Sequence, residues 1–193
     1  MPDVFKKYLS EKGGITDLQF DKIEPFLFER KIKKGETILE QGEVCKNAWF
    51  VEVGCLRSYV TDKKGKEYIF QFAPENWWIS EQNSLHKNEP SLLSIDALEN
   101  SSVVVIGANF FEQLPVPAGA NNNFRHVILQ NRLYSLQKRI IYLLSATAEE
   151  RYIDFLNTYP ALSQRLSQKL IASYLGITPE SLSRVRKELF KKN

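Results

Sequence analysis

The chain has 193 residues, 43% hydrophobic and 25% charged, which is long and apolar enough to bury a substantial core and excludes a disordered or fibrous protein. No run approaches the roughly 18–20 apolar residues of a membrane span, and the opening MPDVFKKYLSEKGG lacks the apolar centre of a signal peptide, so a cytoplasmic protein with no membrane partner is expected. The net charge of +3 is uneven: residues 1–131 carry 15 Lys/Arg against 18 Asp/Glu, whereas residues 132–193 carry 11 against 5, which points to a polyanionic partner for the final third.

Two short helices are predicted first, around residues 3–11 and 17–28, divided by Gly13 and Gly14, with Thr16 or Asp17 as the N-cap of the second. From Arg30 to about Ile106, short β-rich runs alternate with turn residues: TILEQG, AWFVEVG, LRSYVTDKKGKEYIFQF, SLLSIDALEN and SSVVVIG. DKKG divides its run into a hairpin, and glycines 35, 42, 54 and 65 punctuate the region in the manner of a jelly roll or sandwich. Cys45 and Cys55 fall here. Both are expected to be small buried hydrophobes, with a disulfide or sensing pair as the alternative. Two thiols and the distant His86 and His126 cannot supply the local four-ligand set of a structural zinc or iron–sulfur cluster, so no metal is expected.

The break PVPAGANNN, residues 115–123, precedes a long helical pattern over residues 123–148. Within it Leu129, Leu133, Leu136, Ile140, Leu143 and Thr147 recur at alternating spacings of four and three, a heptad seam. Val127, Tyr134, Ile141 and Leu144 widen the apolar arc beside the seam. A helix apolar over so wide an arc is expected to pack on its own domain and on a second copy, giving a parallel homodimer; a single core-facing stripe is the plainer alternative. Three domains are expected: residues 1–122, 123–148 and 149–193.

Three further helical stretches follow, near residues 148–157, 168–175 and 179–191, the first ended by Tyr159 and Pro160. Ser167 can cap the middle one, whose Leu170, Ile171, Tyr174 and Leu175 form a buried face. Ala172 is small where the next helix must cross, and Gly176 permits the tight turn. Thr178 caps the last helix, Pro179 takes its first position and Glu180 lies at the positive end of the helix dipole. Leu182, Val185 and Leu189 point inward, leaving Thr178, Ser181, Arg184 and Lys187 or Lys191 outward. This layout resembles a helix-turn-helix, whose second helix enters the DNA major groove with its first residues on base edges. Arg184 suits guanine, Glu180 suits cytosine, and the basic tail supplies phosphate contacts. Thr178, Glu180, Ser181, Arg184 and Lys187 are therefore the candidate DNA-binding residues. A packed helical hairpin with a solvated face is the plainer reading.

A β-roll, a long helix and a terminal helix-turn-helix, in that order, resemble the Crp/Fnr family of bacterial transcription regulators over nearly the whole chain. The resemblance rests on KKGETILEQGE (33–43), WFVEVGCLRSYVTDKKGKE (49–67) and NWWISEQNSL (76–85) with the terminal motif. It implies an α+β fold: an N-terminal double-stranded β-helix or jelly roll like a cyclic-nucleotide-binding domain, a long dimerisation helix and a C-terminal helix-turn-helix. It further implies a homodimer on a palindromic operator of double-stranded DNA, with RNA polymerase as a further partner.

Cyclic-nucleotide-binding members hold the phosphate with a glycine and an arginine and the ribose with a glutamate. The matching run here is WISEQNSLHKNEPSLL, residues 78–93. Glu81 matches the glutamate, Ser80 replaces the glycine, Ser91 replaces the arginine and Leu92 takes a hydroxyl position. A phosphodiester in a partly dry pocket needs a fixed cation, so cyclic AMP is not expected to bind by this route and no cofactor is assigned. Lys87 and Arg125 are candidate substitute cations. In the reader helix Pro179 replaces a family arginine, while Glu180 and Arg184 match. The family's β-hairpin wing is expected to be missing after Lys191, Lys192 and Asn193. The alternative to a DNA regulator is a ligand-sensing or protein-interaction module that keeps the fold without specific DNA binding. No HExxH, P-loop or Gly-x-Ser-x-Gly elbow occurs, so an enzyme is not expected.

Overall fold

A computed structural model describes residues 3–108, 110 and 120–192. Helices α1 (Asp3–Gly13) and α2 (Asp17–Ile23) open it. A capping box starts α2: the Thr16 hydroxyl accepts from the Gln19 N–H, and the Gln19 side chain accepts from the Thr16 N–H. This helix stops at Ile23 rather than at residue 28. Pro25 supports only a short 3-10 turn, Glu24–Phe26, and the chain is already extended in β1 (Phe28–Ile32).

The β-rich runs form β2 (Thr37–Leu39), β3 (Asn47–Val53), β4 (Leu56–Thr61), β5 (Glu67–Ala73), β7 (Ser94–Ala97) and β8 (Ser101–Gly107), with the short β6 (Trp78–Ile79) between. They make two antiparallel four-stranded sheets, ordered β1-β8-β3-β6 and β2-β7-β4-β5. Residues of alternating direction, among them Leu39, Trp49, Val51, Leu56, Ile95 and Val103, fill the space between the sheets. At Gly54, which turns β3 into β4 with φ +92°, a Cβ would lie 2.3 Å from Ser101 Oγ and 2.8 Å from the Asn100 carbonyl oxygen. Only glycine allows that close passage. On the other face of the β3–β8 pair, Phe5, Leu9 and Phe20 from α1 and α2 pack against Phe50, Val104 and Ile106. Cys45 and Cys55 are both buried and free. Helix α3 (Gln82–Lys87), which the periodicity does not announce, lies between β6 and β7.

Residues 115–119 of the PVPAGANNN break lie outside the described residues. Helix α4 (Ala120–Ser145) follows. Thr147 fits the heptad spacing but is not part of this helix. Its hydroxyl accepts from the Glu150 N–H while Glu150 accepts from the Thr147 N–H, a capping box that starts α5 (Ala148–Thr158). A short α6 (Leu162–Arg165), which no sequence pattern announces, leads to α7 (Gln168–Leu175) and α8 (Pro179–Lys192).

The tail shares a buried core with the roll. Ile69 and Phe72 of β5 and Cys55 join Phe155, Tyr159, Ile171, Leu175 and other tail residues in one cluster. The Phe72 ring meets Tyr174 at 5.3 Å, Tyr159 at 5.9 Å and Phe155 at 6.3 Å. The Ser173 hydroxyl of α7 accepts from the Ile69 N–H at 3.3 Å and donates to the Glu67 carbonyl oxygen at 3.0 Å.

Candidate functional site

The terminal hairpin is built by caps and one crossing. Ser167 accepts from the Leu170 N–H, Gly176 closes α7 in the left-handed region at φ +66°, and Thr178 accepts from the Ser181 N–H at 3.2 Å to start α8. Ile171, Ala172, Leu175, Leu182 and Val185 are buried between the helices and the roll, with Leu170, Tyr174 and Leu189 half-buried. A Cβ on Gly176 would lie 3.3 Å from Leu143 Cδ2, so the long helix rests against the turn itself.

Thr178, Glu180, Arg184 and Lys187 are exposed and Ser181 is half-buried. Spacings of four, three and four put Glu180, Arg184, Lys187 and Lys191 on one stripe of α8. Thr178 and Ser181 instead form the cap, with the Thr178 hydroxyl donating to the Ser181 hydroxyl at 3.2 Å. The Glu180 carboxyl is held below its ordinary range chiefly by its own backbone N–H, so it is ionised at neutral pH. Arg186, not among the sequence candidates, is half-buried and borders a groove with Gln168, Ser183, Lys187 and Lys191.

The seam residues Leu129, Leu133, Ile140 and Leu143 are exposed along α4, and Leu136 is half-buried. Tyr134, Ile141 and Leu144 extend the open apolar face, with Leu144 reaching 83% exposure. The face turned to the roll carries Arg132 and Arg139, seven residues apart. Arg139 Nη2 donates to the Ile69 carbonyl oxygen at 2.8 Å and to the Tyr174 carbonyl oxygen at 3.0 Å, and the guanidinium lies 3.8 Å from the Tyr174 ring centroid. One side chain thus joins α4, β5 and α7.

The cassette residues are occupied with their own neighbourhood. The Glu81 carboxylate accepts from the Asn83 and Ser84 N–H groups at 3.1 and 2.8 Å and caps α3. Ser80 is buried; its hydroxyl accepts from Gln82 and its carbonyl oxygen accepts from Arg132 Nη2 at 3.3 Å. The Ser91 hydroxyl donates to the Leu93 carbonyl oxygen and accepts from the Leu93 N–H, closing on its own turn. Leu92, expected in the pocket, is 68% exposed. The Ser91 backbone pairs with Gly42 and Glu43, and that pairing turns the next side chain outward. Lys87 is exposed at the end of α3, and the side chain of Arg125 lies outside the described residues. Among the described residues the cation that reaches the cassette is Arg132, whose guanidinium pKa is lowered by burial. The pair Arg132 and Arg139, at a seven-residue interval beside an apolar heptad, was its sequence signal.

A cavity of about 380 Å³ lies between the roll, α1, α4 and the tail. Its aromatic walls are Tyr8, Phe70, Trp77, Trp78, Tyr159 and Tyr174. Lys12, Arg132 and Arg139 also line it, together with Gln71, Asn76, Asn131 and Ser135. None of Ser80, Glu81, Ser91 and Leu92 borders it; Ser80 borders a smaller neighbouring cavity of about 50 Å³ that shares Arg132. Tyr159, whose phenol donates to the Phe72 carbonyl oxygen, has its pKa driven well up by burial and stays neutral.

A cyclic-nucleotide-type roll, coupled through a long helix to a helix-turn-helix, is the build of a transcription regulator. Residues 29–115 match the family described as the cyclic nucleotide-binding domain. The chain is 28% identical over 182 residues to Electron transport regulator A of Shewanella oneidensis, covering 86% of this chain and 71% of that one. It is 28% identical over 169 residues to the transcriptional activator protein FnrA of Stutzerimonas stutzeri, covering 81% and 68%. Among solved structures, FixK2 from Bradyrhizobium japonicum superposes with a TM-score of 0.71 at 22% identity, over 86% of this chain and 85% of that one. Along most of its length the chain is thus similar to transcription regulators of the Crp/Fnr type.

Proposed function

We propose that two copies of this regulator pair along the open face of α4 and read a palindromic DNA duplex with their two α8 helices. The observation that carries the reading is the stripe of Glu180, Arg184, Lys187 and Lys191, exposed on a capped helix whose opposite side is packed. Two such helices related by a two-fold axis match half-sites roughly one helical turn apart. Arg184 and Glu180 provide base contacts, and the basic tail neutralises phosphates. Leu129, Leu133, Leu136, Ile140 and Leu143 form the seam. A cytoplasmic location goes with a regulator of this kind. Among the described residues no helix is long and apolar enough to cross a membrane. RNA polymerase is the further partner implied, and no catalysis is assigned. The spent hydroxyl of Ser91 and the outward Leu92 support a cassette that does not take cyclic AMP in the family's usual way.

Selection from a random duplex library, with and without cyclic AMP, tests this. An enriched palindrome that is indifferent to cyclic AMP is expected. Arg184→Ala should then lose about 1–3 kcal/mol of discrimination at one base position while keeping its salt dependence elsewhere. A library with no enriched sequence would replace the reading by that of an interaction module.

A further inference from the structure

The geometry points to the 380 Å³ cavity between the roll, α4 and the tail as a binding site for a small organic anion with a flat apolar body. Three cations line it, Lys12, Arg132 and Arg139, and among the described residues no carboxylate does. That imbalance selects negative charge. Among the described residues Arg132 makes one hydrogen bond, to the Ser80 carbonyl oxygen at 3.3 Å, and Arg139 Nη1 has no hydrogen-bond partner. A guanidinium presents five donors, so both side chains retain unused capacity for a carboxylate or a similar group. The walls are aromatic, and Trp77, Tyr159 and Tyr174 form a connected surface with centroid separations of 5.1 and 5.7 Å. Planar faces of this kind accept a planar ring by offset stacking or edge contact. The volume falls within the range of small-molecule sites. The site is separate from the cassette, because none of its four residues borders this cavity.

Position gives the ligand a consequence. Phe70 and Trp77 belong to the roll, Arg132 and Ser135 to α4, and Tyr159 and Tyr174 to the tail. An occupant touches all three only while the tail is docked, so its binding energy favours that arrangement. The effect on DNA binding rests on the regulator reading; the binding itself does not.

Calorimetric titration of the full chain with 2-naphthoate, and with neutral 2-naphthamide of the same shape, tests the site. Naphthoate should bind once per chain and at least tenfold more tightly than the amide. Arg132→Gln should weaken naphthoate about tenfold and leave the amide unchanged. Ser135→Phe, which changes an exposed residue and fills the cavity, should abolish both. Absence of naphthoate binding at millimolar concentration, equal affinity for the two compounds, or unchanged binding to a folded Ser135→Phe variant would overturn the proposal. The two wild-type titrations keep the outcome independent of whether a variant folds. A protein that selects a duplex yet ignores naphthoate loses only the cavity proposal. One that binds naphthoate yet selects no duplex loses only the regulator reading.

Discussion

Arg165, at the end of α6, clamps the tail to the roll, and the strength of the clamp can be worked out from its geometry. Its Nη1 donates to Glu75 Oε2 at 3.0 Å, its Nη2 donates to Glu75 Oε1 at 2.9 Å, and Glu99 is a further partner. The side chains are 27% exposed for Arg165 and 37% for Glu75, so solvent screens the pair considerably. Exposed pairs contribute about 0.2–1 kcal/mol, and a two-pronged guanidinium–carboxylate contact lies above that range, at about 1–2 kcal/mol here. A double-mutant cycle of Arg165→Met and Glu75→Gln, read by urea unfolding at pH 7, should return a coupling of that size. Glutamine retains an oxygen for the Gly54 N–H, which Glu75 accepts at 3.0 Å, so the cycle isolates the ion pair. Burial alone would raise the Glu75 pKa, but hydrogen bonds from Arg165 outweigh it and leave the carboxyl below its ordinary 4.5. A depressed folded-state pKa means that the contribution is complete above 4.5 and is lost as pH falls through the lower folded value. The coupling should therefore fade in acid, and it should shrink in high salt. A coupling within about 0.3 kcal/mol of zero at pH 7 and low salt would refute the reasoning.

Other consequences are equally direct. Gly54→Ala forces a Cβ to within 2.3 Å of Ser101 Oγ at a φ of +92°, and it should cost at least about 2 kcal/mol in thermal unfolding, where an unchanged midpoint would contradict the packing. Leu133, 62% exposed in the seam, should tolerate Leu133→Asp within the chain, but sedimentation should then show a monomer; a dimer that persists would move the interface elsewhere. The Cys55 thiol is pushed up to about 12 by burial, so a thiol reagent at pH 8 should modify it only on unfolding, and prompt reaction of the native protein would place it nearer solvent.

The parts that could be read from sequence are those set by local chemistry. Glycine-punctuated β runs gave the strands other than β1 and β6, and Ser167, Gly176, Thr178 and Pro179 gave both helices of the hairpin at their observed starts. Thr147 shows where spacing misleads: it continues the heptad, yet Glu150 three residues on is the signal of a capping box, and the cap prevailed. Phe28 fits the apolar pattern of α2, but Pro25 ends that helix first. What could not be read was mostly distant in sequence. YIFQF is apolar on both sides of a strand, and nothing within it says that Ile69 and Phe72 meet Tyr159 and Ile171 across some ninety to a hundred residues. Arg132 lies some fifty residues from the cassette, so proximity in sequence favours Lys87, whereas α4 brings the guanidinium of residue 132 to the Ser80 carbonyl oxygen.

The Ser173 contact has a cost that appears only when it is broken. Strand β5 is the last of its sheet among the described residues, so one side of its backbone has no neighbouring strand there. Ser173 and Arg139 occupy the outward amide and carbonyl groups of Glu67 and Ile69. Lifting the tail would bare a ribbon of unpaired peptide groups flanked by Ile69 and Phe72, the kind of margin on which a second chain adds a strand and aggregation begins. Any motion that frees α7 from the roll must therefore be brief, or must bring a substitute that covers the same margin.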